Sequence, residues 1–228
     1  MDAEFRLLHS YRLRIIRNTK LLILNGLFLV LIISSCSNPY KNLTSTELAL
    51  SEAKEMPYAL PYSEKTLIYK TDIRFYKNEV SGLLIIKQTE EDIYRIALTT
   101  QFGLKIFDFE LNHGKLEVEY CIEYLNKKMI LRTFQQDFNL LLMQNHVDSA
   151  IKIINKDQNQ IIWQFTEGKI RYNYIENTNL HRVSNISLMK RNSEKISVGL
   201  YSYRDNIPNE IKLEHHNIRL NMTLKRIQ

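Results

Sequence analysis

Residues 217–227 read NIRLNMTLKRI, and every second side chain is apolar: Ile218, Leu220, Met222 and Leu224 alternate with Arg219, Asn221, Thr223 and Lys225. A period of two belongs to an extended chain whose two faces meet different surroundings, so this stretch predicts a strand with one face in a core. The same period recurs on the way back towards the N-terminus, in NEIKLEH (209–215), KISVGLYSY (195–203), RVSNISLM (182–189), KIRYNYI (169–175) and QIIWQF (160–165). Further upstream it returns in KLEVEYCIEY (115–124), LKIFDFEL (104–111), DIYRIALTT (92–100), VSGLLIIKQ (80–88) and TLIYKTDIRFY (66–76). Turn signals such as Thr89-Glu90-Glu91-Asp92 and Asn112-His113-Gly114 separate these runs by only a few residues, too few for a crossover. Neighbouring strands are therefore expected to pair antiparallel.

One segment between the two sets breaks the period. In LRTFQQDFNLLLMQNHVDSA (131–150), Phe134, Phe138, Leu141 and Leu142 fall at i, i+4, i+7 and i+8, a single helical stripe. Thr133 is the expected N-cap, with Asp137 near the positive end of the helix. Ahead of the strands, Ser45 or Thr46 is expected to cap a short helix running to Lys54, ended by Pro57 and Pro61. The predicted fold is mostly β: about ten antiparallel strands, a short helix in front and an amphipathic helix inserted mid-chain. Accumulated twist should curl so long a sheet into an open half-barrel, leaving the concave face to receive the helical stripe. No repeat, heptad or linker divides the chain from residue 46 to residue 228, which predicts one domain.

Read consistently, the alternation turns Phe107, Phe109, Leu116, Val118, Tyr120, Trp163, Phe165, Tyr172, Tyr174, Leu220, Met222 and Leu224 towards the concave side, facing Phe134 and Phe138 of the helix. Such a set is either the lining of an apolar cavity or a packed core.

The first forty residues carry a separate message. LLILNGLFLVLII (21–33) is shorter than the roughly 20 residues of a spanning helix and follows Arg6, Arg12, Arg14, Arg17 and Lys20. Those are the features of a secretory leader. The residues Ile33-Ser34-Ser35-Cys36 then resemble the bacterial lipobox, which implies cleavage between Ser35 and Cys36 and attachment of acyl chains to Cys36. Residues 1–35 are thus the expected leader, and 36–45 a lipidated cysteine and its polar tether. An uncleaved signal anchor and a disulfide from Cys36 to Cys121 are the competing readings. Ser37, where retention in the inner membrane would favour Asp, points to the outer membrane with the domain facing the periplasm.

Composition and motif content mainly exclude. With 44% hydrophobic and 25% charged residues the chain has the makings of a core and lacks the composition of a disordered protein. Half of its formal charge of +6 lies ahead of the apolar run, and the remainder is mixed in sign, which is no nucleic-acid footprint. There is no Gly-x-Ser-x-Gly elbow, Walker loop, His-Glu-x-x-His or Cys-x-x-Cys, so no catalytic, metal or cofactor residue is assigned. His215 and His216, adjacent and so on opposite faces of a strand, read as a turn rather than as metal ligands. Cys121 reads as a sheet residue, and Glu117, Glu119 and Glu123, expected to share its face, as a solvated surface.

Two blocks carry a family likeness. The hairpin YRIALTTQFGLKIFDFEL, Tyr94 to Leu111, resembles the corresponding hairpin of the LolA/LolB lipoprotein-localisation family, in particular its outer-membrane LolB-type members. PNEIKLEHHNIRLNMTLKRI, Pro208 to Ile227, is similar to that family's closing hairpin, and the lipobox stands where a LolB-type protein has one. The segment DSAIKIINKDQNQIIWQF departs from the family, which has a Trp-containing stretch ending in Gly after the mid-chain helix. The resemblance implies a half-open barrel closed by helices, sheltering the acyl chains of lipoproteins or another lipid without catalysis. It also implies Phe102 and Gly103 on a protruding loop that delivers cargo to the membrane, a periplasmic LolA-like carrier as partner, and a monomer. A hairpin residue folding back onto the sheet is the alternative for Phe102. The alternative for the whole chain is a structural or stress-sensing lipoprotein of an envelope complex, built on the same half-barrel with a filled core.

Overall fold

The computed structural model describes residues 43–50, 52–57, 60 and 66–227. Cys36, Ser35, the leader and most of the tether lie outside these residues. The described elements are β1 (Thr44–Leu48), β2 (Leu67–Phe75), β3 (Asn78–Glu90), β4 (Ile93–Thr99), β5 (Lys105–Asn112) and β6 (Lys115–Cys121). After them come the helix α1 (Lys128–Leu142), β7 (Ser149–Asn155), β8 (Gln160–Glu167) and β9 (Ile170–Asn177). β10 (Arg182–Lys190), β11 (Ser193–Tyr201), β12 (Glu210–His215) and β13 (Leu220–Arg226) complete the chain. All thirteen strands join one antiparallel sheet in the order β1-β7-β8-β9-β10-β11-β12-β13-β2-β3-β4-β5-β6. The sheet is open, with β1 and β6 as its edges. The last strand, β13, pairs with β2, so the alternating stretch 217–227 stitches the two halves of the sheet together.

The curl follows from what one helix touches. Gln135 of α1 accepts a bond from the Leu116 amide on β6, while Tyr174 on β9 donates to the Leu140 carbonyl at 3.0 Å. Nine steps separate β9 from β6 in the sheet, which would be about 43 Å in a flat one. A helix only about 10–12 Å across spans that separation only if the sheet wraps round it. α1 carries the chain from the β6 edge to β7 near the other edge, lying in the concave face with Ile130, Phe134, Phe138 and Leu141 buried.

The expected half-barrel with an inserted helix is present, and three details differ. The predicted N-terminal helix is instead the strand β1, paired with β7, followed by a 3-10 turn at Glu52–Glu55. Thr and Ser at a helix start and in an exposed edge strand look alike in sequence, and here pairing with β7 decides. β7 follows directly on the helical segment, whose period masks it; β1 and β7 added to the eleven alternating runs give thirteen strands where about ten were expected. Finally, α1 begins at Lys128 with Lys127 as a cap lacking any side-chain bond. Thr133 therefore lies inside the helix, its hydroxyl donating to the Met129 carbonyl at 3.0 Å. Asp137 accordingly sits mid-helix on the buried stripe, far from the helix start.

Candidate functional site

The concave face has two ends that are built differently. Under α1 it is filled. Phe107 and Phe109 of β5 stack with ring centres 4.3 Å apart, and Phe134 of α1 packs 5.3 Å from Phe107 and 6.0 Å from Phe109. Phe138 closes the group 6.1 Å from Phe134. Leu220 and Met222 of β13 are buried in the same core. Offset and tilted rings at these separations gain dispersion and quadrupole energy beyond their buried area, so this half is a packed core.

Towards β8 and β9 the face is not filled. A partly open cavity of about 170 Å³ lies between Phe165, Tyr172 and Tyr174 of the sheet, Met143, Asn145 and Val147 after α1, and Leu50, Ala53 and Met56 of the N-terminal segment. Trp163 lies on the same face, opposite Tyr174, with its indole donating to Glu176 at 2.8 Å. The polar atoms of the cavity wall are largely partnered within the protein. Tyr172 donates to Glu167 at 2.7 Å, Tyr174 to the Leu140 carbonyl, and Asn145 to the Asn139 carbonyl at 3.2 Å. Burial pushes both tyrosine hydroxyls well above their ordinary range, so they remain neutral. What the cavity offers a guest is therefore apolar surface.

Between the two ends the aromatic and aliphatic face of α1 is interrupted by one charge-bearing pair. His215 Nε2 lies 2.8 Å from Asp137 Oδ1, with both side chains almost wholly buried. The second oxygen, Oδ2, has no partner among the described residues. Burial pushes the Asp137 carboxyl up, with the hydrogen bond and charge of His215 opposing the shift. This pair was missed in the sequence. The signal was present, since Asp137 falls three residues after Phe134 on the same stripe, but a helix started at Thr133 moves it to the first turn.

The remaining expected site residues are scattered. Phe102 stands 94% exposed at the tip of the β4–β5 turn. That turn is held by Gly103 N–H donating to the Thr100 carbonyl and Thr100 N–H to the Leu104 carbonyl, at 3.0 and 2.8 Å. Gly103 has φ +83°, a left-handed conformation that favours glycine. Phe102 does not fold back onto the sheet. Leu116 is half-buried at the β6 edge, and Val118 is largely exposed there. Tyr120, expected to face inward, faces outward. The β5–β6 register slips between Asp108 and Phe109, so Tyr120 stands opposite the outward-facing Asp108 and Cys121 opposite the inward-facing Phe107. The slip also separates Cys121 from Glu117 and Glu119, which were expected to share its face. Burial pushes the Cys121 thiol up, leaving it a poor nucleophile.

Outside, burial of the Asp108 carboxyl is outweighed by Arg95 and Lys105, which hold it below its ordinary range. Arg95 reaches Glu119 at 3.9 Å as well, which places that carboxylate in a surface ion network. No group of three or more His, Cys, Asp or Glu side chains among the described residues is arranged to hold a metal.

These features define the class: an open antiparallel half-barrel wrapped round one helix, with a small apolar cavity at the end the helix leaves uncovered. Solved structures similar to it include the following three. A LolA superfamily protein from Nitrosomonas europaea matches over 79% of this chain and 91% of its own, at 6% identity and a TM-score of 0.48. A DUF1329 family protein from Desulfovibrio piger matches over 71% and 82%, at 8% identity and a TM-score of 0.44. A domain from Vibrio parahaemolyticus named for outer membrane lipoprotein sorting matches over 78% and 88%, at 9% identity and a TM-score of 0.39. No family model and no curated protein matches the chain. These likenesses concern the outline of the fold alone.

Proposed function

We propose that this chain is an envelope lipoprotein that shelters an acyl chain in the half-barrel and takes part in the transfer of lipoproteins or other lipids, without making or breaking a bond. The observation that carries this is the cavity between Phe165, Tyr172, Met143 and Met56. Its volume sets what the closed form holds. A cavity of about 150 Å³ accommodates one benzene ring, so 170 Å³ takes the end of an acyl chain and no more. A whole chain needs the several hundred Å³ of an ordinary ligand site, and therefore a wall that yields. Met56 and Met143 suit such a wall, because an unbranched thioether re-packs at little cost. Transfer would then follow differential affinity, with acyl chains moving to the site that buries them with least strain.

On this reading Cys36 carries the membrane anchor, which places the domain at the periplasmic face of the outer membrane, and Phe102 touches the bilayer during delivery. A LolA-like carrier is the corresponding donor, and the receptor acts as a monomer. The test is native mass spectrometry of the full chain, paired with displacement of an apolar fluorophore by fatty acids. Co-purifying lipid and displacement are expected; a lipid-free protein that binds no fluorophore would sink the reading. Labelled palmitate should enter the wild type and not Cys36→Ala.

The second reading, a non-catalytic interaction or stress-sensing lipoprotein, is favoured by the Phe107, Phe109, Phe134 and Phe138 cluster, which fills much of the face expected to be hollow.

A further inference from the structure

Helix α1 is held to the sheet by an apolar stripe and, in its middle, by Asp137 against His215. An acid there is costly. Two ionisable groups removed from water need better satisfaction than a single hydrogen bond, and here one carboxylate oxygen is left without a partner. Packing would be served as well by an apolar pair. His215 also lines an open groove with Lys128, Arg132, Thr133 and Asn217, so protons reach the pair from solvent.

We propose that Asp137 and His215 form a latch that docks α1 in the concave face while the pair holds one proton, and that releases α1 as the pH rises through neutrality. The link to cargo rests on the acyl-binding reading: Met143 and Val147 follow directly on α1 and line the cavity, so release of the helix moves a wall of it.

The direction comes from proton counting. Docked, the pair keeps its shared proton, because losing it leaves a buried carboxylate beside a neutral imidazole. Undocked and solvated, the groups return to ordinary values, about 3.9 for Asp and about 6.5 for His. Between those values both states hold one proton and docking is indifferent to pH. Above about 6.5 the undocked pair loses its proton while the docked pair retains it, so the opening equilibrium rises up to about tenfold per pH unit. The raised Asp137 carboxyl has the sign this requires, since docking then favours the protonated form, and that contribution is lost as the pH rises towards the folded value.

The other charged groups nearby do not substitute for the pair. From α1, Lys128 and Arg132 line the groove and oppose uptake of a second proton. Glu214 on β12 and His216 just past it flank His215, and His216 is turned to Glu194 at 3.5 Å. On β11 the residue opposite His215 is the apolar Ile196, with Lys195 before it. On β13 the inward neighbours, Leu220 and Met222, are apolar, with Arg219 before the strand.

The test is hydrogen exchange of the α1 amides in the full chain, corrected for intrinsic rates, from about pH 4 to about pH 9. Wild type should lose protection up to about tenfold per pH unit above about 6.5. The double variant Asp137→Leu/His215→Phe should stay protected and flat. Asp137→Asn, which removes the carboxylate and keeps a hydrogen-bonding group, should abolish the loss of protection above about 6.5. A flat wild-type profile, or a wild-type slope that survives in the double variant, overturns the latch. Because this readout needs no ligand, failure of lipid binding leaves it intact, and its failure leaves lipid binding intact.

Discussion

The two ends of the concave face are made of the same residue types and behave oppositely. Under α1, Phe107, Phe109, Phe134 and Phe138 contact one another and leave no room. Beyond its C-terminus, Phe165, Tyr172 and Tyr174 line a cavity. What differs is the partner each set is given. The first set receives a rigid helical stripe, the second a left-handed turn at Met143, the short coil after it and the 3-10 turn of the N-terminal segment. Aromatic strand faces make a core where a helix covers them and a receptacle where only loops do.

The filled end should be the more fragile to change. Phe138→Ala removes a ring only 1% exposed, packed between Phe134 and Phe107. Loss of the transfer energy together with the cavity left behind should cost about 3–5 kcal/mol, readable as a drop in Tm of roughly 10 °C. A variant within about 1 kcal/mol of wild type would mean that this end collapses freely and that the contrast between the ends is mistaken.

The C-terminal end of α1 rests against the β5–β6 turn at Gly114. Its φ is +80°, and a Cβ there would lie 2.4 Å from the Gln144 carbonyl oxygen just past α1. Its own carbonyl accepts from Asn139 of the helix at 2.8 Å. Gly114→Ala therefore meets backbone rather than a yielding side chain, and should cost about 1–3 kcal/mol in denaturant titration. The helix end should loosen with it, raising fluorophore access to the cavity.

How much of this was legible in sequence differs between the same two regions. The strand alternation and the Phe134 to Leu142 stripe are local periodicities, and they led to the half-barrel with its inserted helix, but not to the filling of the face that Phe107, Phe109, Phe134 and Phe138 were expected to line as a cavity. The cavity is bounded by Leu50, Ala53, Met56, Met143 and Val147, residues in coil or short turns with no period to read. They come together only because α1 ends where it does and β1 pairs with β7. Tyr120 failed for a related reason, since strict alternation cannot register a bulge. Asp137 and His215 lie 78 residues apart, and only the closing of the sheet unites them.

The open end should tolerate what the filled end cannot. Ala53→Leu places a larger side chain where the cavity has space, so stability should stay within about 1 kcal/mol of wild type. Fluorophore binding should nevertheless fall severalfold. A variant that loses stability instead would show that the space is narrower than its lining suggests, and unchanged binding would show that the guest sits elsewhere.

The smallest effect on the fold should come from Phe102, which neither end uses. Its ring is 94% exposed on a turn whose hydrogen bonds all involve backbone groups or Thr100, so Phe102→Glu removes no packing and breaks no bond. The expected change in stability is within about 0.5 kcal/mol, with cavity binding unaltered. A large exposed aromatic on a tight turn beside exposed Leu104 is nonetheless costly to leave in water, and an interface or bilayer is where such a group gains. A carboxylate in its place repels anionic headgroups and carries a desolvation cost into any apolar phase. Delivery of bound acyl chains to liposomes should therefore be lost while uptake into the cavity persists. That split would separate a holding end from a releasing tip, and equal delivery by both proteins would confine function to the cavity alone.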